Sequence, residues 1–120
     1  MKAKVEQGLN EQVHAEFFSF YLYLAVSAYF TKLHLEGFAH WMRVQAAEEQ
    51  EHAMKFYGFI YERGGRVVLQ AIDQPPAEFE SLREVFKQTL EHEKKVTALI
   101  EAIYTAAVED KDYASQTFLN

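Results

Sequence analysis

No proline occurs in this chain before Pro75. Proline removes a backbone donor and breaks helix interiors, so everything ahead of it is free to form uninterrupted helices. Gly8, Gly37 and Gly58 stand alone there, and the one strong break runs from Gly64-Gly65 to Asp73-Gln74-Pro75-Pro76. That punctuation predicts helices over residues 3–33 and 37–63, a connection over 64–78 and a third helix over 79–109. Lys111-Asp112-Tyr113 reads as a turn into a fourth helix, which starts after residue 112 and has barely begun at Asn120. Repeats and low-complexity tracts are absent, so residues 1–120 read as one domain.

The link from His34 to Gly37 is short, which makes the first two helices antiparallel neighbours. The second link is different. A helix of about 27 residues is ~40 Å long, and residues 64–78 can stretch to roughly 50 Å at ~3.3 Å per residue. The connection can therefore run the length of the bundle and let helices two and three point the same way. The fold class that follows is all-α: a four-helix bundle with a long crossover between helices two and three, of which three helices are complete.

Composition narrows the function. The chain is 49% hydrophobic, enough for one ordinary core and too much for a disordered segment. It has no cysteine, which excludes disulfide frameworks, zinc fingers, iron–sulfur clusters and thiol nucleophiles. A net charge of −6 argues against nucleic-acid partners and favours cationic ones. The uncharged run from Phe17 to Thr31 falls short of the ~20 residues a membrane span needs. No apolar stretch follows Lys2 and Lys4 closely enough to form a secretory signal. The expectation is a soluble, cytoplasmic protein without membrane partners.

Reading each helix in alternating three- and four-residue steps gives its core face. The first stripe is Leu9, Val13, Glu16, Phe20, Tyr23, Ser27, Phe30; the second is Phe38, Met42, Gln45, Glu49, His52, Phe56, Phe59. The third is Leu82, Phe86, Thr89, Glu93, Val96, Ile100, Ile103. Every stripe is apolar at both ends and carries a carboxylate near its middle. Mid-height is shared whichever way a helix runs, so Glu16, Glu49, His52 and Glu93 would meet at one level of the core. Three buried carboxylates would repel one another and take up protons unless a cation sat between them. Oxygen donors with one imidazole suit iron or manganese better than a thiolate-preferring metal. Glu49 and His52 share one helical face, in the Glu-x-x-His arrangement of di-iron carboxylate bundles.

Each residue also has an ordinary reading. A single Glu on an apolar stripe is commonly misphased or ion-paired, and Glu93 has Glu91 and Lys94 beside it. Glu11 and His14 repeat the Glu-x-x-His spacing off the centre of their stripe, so both are read as solvated. His34, His40 and His92 have no partner pattern and read as surface or packing residues. Tyr23 is either core with one satisfied hydroxyl or a partner of the metal site. Glu48 and Glu51 belong to a solvated run, Glu48 also being a candidate for a transient third metal ion.

The chain resembles the non-haem ferritins of bacteria and archaea across its length. The likeness is carried by Asn10-Glu11-Gln12 with Glu16 and Tyr23, by Gly37-Phe38-Ala39-His40-Trp41-Met42, and by Glu48-Glu49-Gln50-Glu51-His52-Ala53-Met54-Lys55-Phe56-Tyr57. Tyr61-Glu62-Arg63-Gly64-Gly65-Arg66-Val67, Pro75-Pro76, His92-Glu93-Lys94 and Asp110-Lys111-Asp112-Tyr113 continue it. The resemblance implies a dinuclear non-haem iron centre that oxidises Fe(II) with dioxygen or peroxide. It also implies Fe(III) mineral in a cage of twenty-four subunits. Carried over by position, Glu16 and His52 would ligate the first iron, Glu49 would bridge both, and Glu93 would ligate the second. Tyr23 matches the family's tyrosine beside the centre, and Glu48 the carboxylate leading to a third site. Gln50 stands where haem-binding relatives have their ligating methionine, so haem is not expected. Ferritins continue past Phe118-Leu119-Asn120 into a full fourth helix that adds ligands near the second iron, which these residues do not supply. Two rival readings follow. One is a structural or partner-binding module with an incomplete, inactive centre. The other is a rubrerythrin-like oxidase or peroxidase, for which Glu93-Lys94-Lys95-Val96 lacks the second Glu-x-x-His.

Overall fold

The computed structural model describes all residues from Met1 to Asn120. Four helices follow one another: α1 (Ala3–Lys32), α2 (Glu36–Glu62), α3 (Leu82–Glu109) and a short α4 (Tyr113–Leu119). The chain is all-α, with no strand. The helix ends have local causes. Beyond α1, His34 takes a left-handed φ of 60° and Leu35 N–H donates back to Phe30 O at 2.9 Å. Beyond α2, Gly64 at φ 78° makes the same reversal without a steric penalty, and Gly65 N–H donates to Ile60 O at 2.8 Å. Helix α3 starts at Leu82, later than the proline break implies. Ser81 is its cap, with Oγ accepting from Glu84 N–H at 3.1 Å. Phe79 stays outside the helix, buried edge-on against Tyr29.

Helix α1 is the axis of the molecule. Both α2 and α3 pack on it, whereas the backbones of α2 and α3 do not approach each other. The crossover lies along α1 and can be followed by its hydrogen bonds. Arg66 N–H donates to Glu6 Oε1 at 2.7 Å, Val68 N–H to Asn10 Oδ1 at 2.7 Å, and Asn10 Nδ2 to Arg66 O at 2.9 Å. His14 Nε2 lies 2.9 Å from Ala71 O, so this histidine is tied to the crossover rather than freely solvated. At the far end, Lys32 reaches Glu78 at 2.6 Å. The connection therefore climbs from the first turns of α1 to its last, so α3 runs antiparallel to α1 and parallel to α2. The bundle is 50 Å long.

Two apolar clusters form the core, one at each end of α1. The first joins Val5, Leu9 and Val13 to Phe56, Ile60 and Ile103. The second joins Leu22, Val26 and Phe30 to Met42, Ala46 and Val85. Glu16, Glu49, His52 and Glu93 all fall between them. Helix α4 closes the first cluster, where Phe118 stacks on Phe59 at 4.0 Å with the rings 5° apart. Asp112 caps α4 by accepting from Ser115 N–H and pairs with Arg63 Nη1 at 2.7 Å. Phe38, Trp41, Phe86 and Leu90 on α2 and α3 are exposed. No helix is long and apolar enough to cross a membrane.

Asn10 offers the crossover both a donor and an acceptor. Asn10→Ala is expected to cost about 1–3 kcal/mol, from two hydrogen bonds of roughly 0.5–1.5 kcal/mol each. Faster limited proteolysis confined to residues 66–72 would accompany it; an unchanged cleavage pattern would show that the crossover is held by other contacts.

Candidate metal centre

The polar layer is built outward from Glu16, which is 2% exposed. Gln12, fully buried one turn earlier on α1, donates from Nε2 to Glu16 Oε1 at 2.9 Å. The other oxygen, Oε2, is buried with no hydrogen-bond partner. Such an orphan is costly, because a buried carboxylate needs either its proton or a countercharge.

Helix α2 brings the other candidates to that oxygen. Glu49 is buried and His52 follows it by one turn, its side chain 49% exposed. His52 Nδ1 lies 3.8 Å from Glu16 Oε2 and 3.6 Å from Glu49 Oε2. One ligand atom from each of the three falls within 4.8 Å of the others. Ligands around one ion at about 2.1 Å stand roughly 3–4 Å apart, so a small side-chain adjustment closes this trio on a cation. His52 supplies the opening, since it alone of the three reaches solvent substantially.

Burial, and then the neighbouring Glu49 carboxyl, push the Glu16 pKa up to about 8, with the Gln12 hydrogen bond pulling the other way. Near neutral pH this carboxyl holds a proton that a cation would displace. Glu93, on α3, stands outside the trio. Tyr23, itself buried, donates its hydroxyl to Glu93 Oε1. Burial and then the charge of Glu16 raise the Glu93 pKa. Glu48 is exposed on α2 beside Glu49.

Two contributors escaped the sequence reading. Gln12 sits at i−4 from Glu16, a spacing that places both on one face and could have identified it. His92 is no bystander: its Nε2 lies 2.6 Å from Ser19 Oγ, and its ring packs on Phe18 and edge-on to Tyr23. Its signal in the sequence is its place beside Glu93 in the His92-Glu93-Lys94 block. His34 and His40 are exposed, and Glu11 is solvated.

Known proteins share this sequence pattern and fold. The ferritin-like domain pattern matches residues 6–120. The chain is 40% identical over 116 residues to a bacterial non-heme ferritin of Bacteroides fragilis, covering 97% of this chain and 73% of that one. It is 39% identical over 114 residues to the Staphylococcus aureus non-heme ferritin, covering 95% of this chain and 69% of that one. Among solved structures, an open pore ferritin from the hyperthermophilic archaeon Archaeoglobus fulgidus superposes with a TM-score of 0.96 at 44% identity, covering 99% of this chain and 74% of that one.

The raised Glu16 pKa makes metal-free stability depend on pH. Between the ordinary carboxyl value of 4.5 and about 8, the folded chain holds a proton that the unfolded chain has released. Stability is therefore greatest below that window and falls as pH rises through it. Thermal unfolding of the metal-free protein should show the midpoint dropping from pH 5 to pH 8, and Glu16→Gln should flatten the slope. A wild-type slope retained in Glu16→Gln would assign the effect to another group.

Proposed function

The chain belongs to the ferritin-like family, and from that premise we propose that it stores iron, oxidising Fe(II) at the layer formed by Glu16, Glu49, His52 and Glu93 and passing Fe(III) to a mineral within an oligomeric cage of its own copies. The observation that carries this reading is the buried, partnerless Glu16 Oε2, on which Glu49 and His52 converge between two apolar clusters. A stable apolar core has no use for that arrangement. An ion-binding site does.

Fe(II) is the substrate. Glu16 and His52 receive the first ion, Glu49 bridges to a second, and Glu93 holds the second from the α3 side. Carboxylates with one imidazole, in a chain without cysteine, suit iron rather than a thiolate-preferring metal. Displacing the Glu16 proton on binding turns a costly buried acid into a charge-compensated ligand. Each ion then gives up one electron. Two Fe(II) ions, one dioxygen and two protons give two Fe(III) ions and hydrogen peroxide. Three carboxylates suit the rise in positive charge on the metal pair, so oxidation is favoured by the same groups that bind the substrate. Tyr23 orients Glu93 through its hydroxyl. Exposed Glu48 gives outgoing Fe(III) its first ligand beyond the centre.

Anaerobic titration should find two Fe(II) ions per chain, with Glu93→Ala retaining one. Aerobic Fe(II) oxidation, followed by near-ultraviolet absorbance of Fe(III), should fall in Glu49→Ala by at least about 100-fold, more than disturbing a group that merely touches a metal ligand. Wild-type oxidation rates in Glu49→Ala would overturn the assignment of the centre.

A further inference from the structure

The backbones of α2 and α3 do not approach each other, and the Phe38 and Phe86 rings meet two turns from Glu93, so at its own level Glu93 is placed relative to Glu16, Glu49 and His52 through α1. Yet α3 is poorly anchored at that level. Its buried residues are Val85, Val96, Ile103, Ala106 and Ala107, leaving three turns between Val85 and Val96 without a buried side chain. Glu93 lies in that gap. At the start of the gap the Phe86 ring packs on Phe30, and at the level of Glu93 the ties to α1 are the Tyr23 hydroxyl on Glu93, His92 Nε2 on Ser19 and the His92 ring on Phe18.

The second tie is short. Ser19 is fully buried, and its Oγ lies 3.0 Å from Ala15 O and 2.6 Å from His92 Nε2. With the hydroxyl proton on Ala15 O, His92 takes the tautomer whose Nε2–H donates to Ser19 Oγ. The same ring stands edge-on to Tyr23, with centroids 6.5 Å apart and planes at 90°. His92 thus touches both the α1 serine one turn before Tyr23 and the tyrosine that holds Glu93.

We propose that His92 is a positioning residue for the second iron, its Nε2–H bond to Ser19 and its contact with Tyr23 pinning the unanchored middle of α3 so that Glu93 faces the Glu16–Glu49–His52 trio. This rests on the iron-oxidation reading above. It separates the two ions: the first is held by α1 and α2 without His92, whereas the second depends on it.

The test uses the full chain and Fe(II) as the probe. Under anaerobic titration, His92→Leu and Ser19→Ala should keep the first equivalent at wild-type affinity and weaken the second by roughly 10-fold or more. His92→Gln, which retains an N–H donor, should restore much of the loss; a purely space-filling role would be met by Leu and not by Gln. Ser19→Ala covers the case in which His92→Leu does not fold. Wild-type binding of both equivalents in His92→Leu and Ser19→Ala overturns the proposal. If the wild-type chain itself takes up no second equivalent, the iron-oxidation reading fails, and crystal structures of the metal-free variants decide positioning separately. Glu93 displaced from the Tyr23 hydroxyl supports it, and Glu93 still bonded there overturns it.

Discussion

A carboxylate at the middle of α1, 2% exposed and with one oxygen left without a donor, is the constraint around which the molecule is arranged. Burying that group costs free energy that the apolar clusters on either side must offset. The cost also explains the neighbours. Gln12 satisfies one oxygen, and the geometry directs Glu49 and His52 at the other. A cation held there would turn three mutually unfavourable groups into ligands. Stability without metal and affinity for metal are therefore opposite faces of one buried charge.

The topology serves that layer. Because α1 supplies the interface for both α2 and α3, every candidate ligand is referred to one helix. The crossover carries the chain back along α1 and returns α3 with its mid-point at the height of Glu16. Hydrogen bonds from Glu6, Asn10 and His14 hold this irregular segment against α1, so its backbone polar groups need no sheet partner. The two sides of the centre are held differently. Apolar side chains pack α2 on α1 at both ends of the layer, while α3 at the same level leans on hydroxyl and imidazole contacts. The α2 side of the polar layer is thus held by apolar packing and the α3 side by polar and aromatic contacts.

Much of this was legible in the residues. The missing prolines and the Gly64-to-Pro76 break located three long helices and their connection, since backbone chemistry alone decides where a helix cannot continue. The phase of Leu9, Val13, Glu16 and Tyr23 identified the buried face of α1, because a 3.6-residue period leaves little choice. Less legible were features set by partners distant in sequence. Glu-x-x-His at residues 11–14 and 49–52 have the same spacing, yet His14 meets the crossover and His52 faces Glu16. Which of them meets a carboxylate depends on the helix lying opposite. The start of α3 moved to Leu82 because Phe79 found a tertiary partner in Tyr29 and left Ser81 to cap the helix.

The sequence by itself determined the helical class, the crossover and the set of carboxylates at mid-height, because these follow from local backbone preference and from periodicity. Only the tertiary structure decided which oxygen of Glu16 lacks a partner, that Glu93 is held by Tyr23 while Glu49 and His52 join Glu16, and that His92 packs against Ser19 and Tyr23. Those outcomes depend on distances of a few ångströms between helices whose residues lie about 70 positions apart, as Tyr23 and Glu93 do. A helical period fixes the face a side chain occupies, and the packing of a neighbouring helix fixes what that face meets.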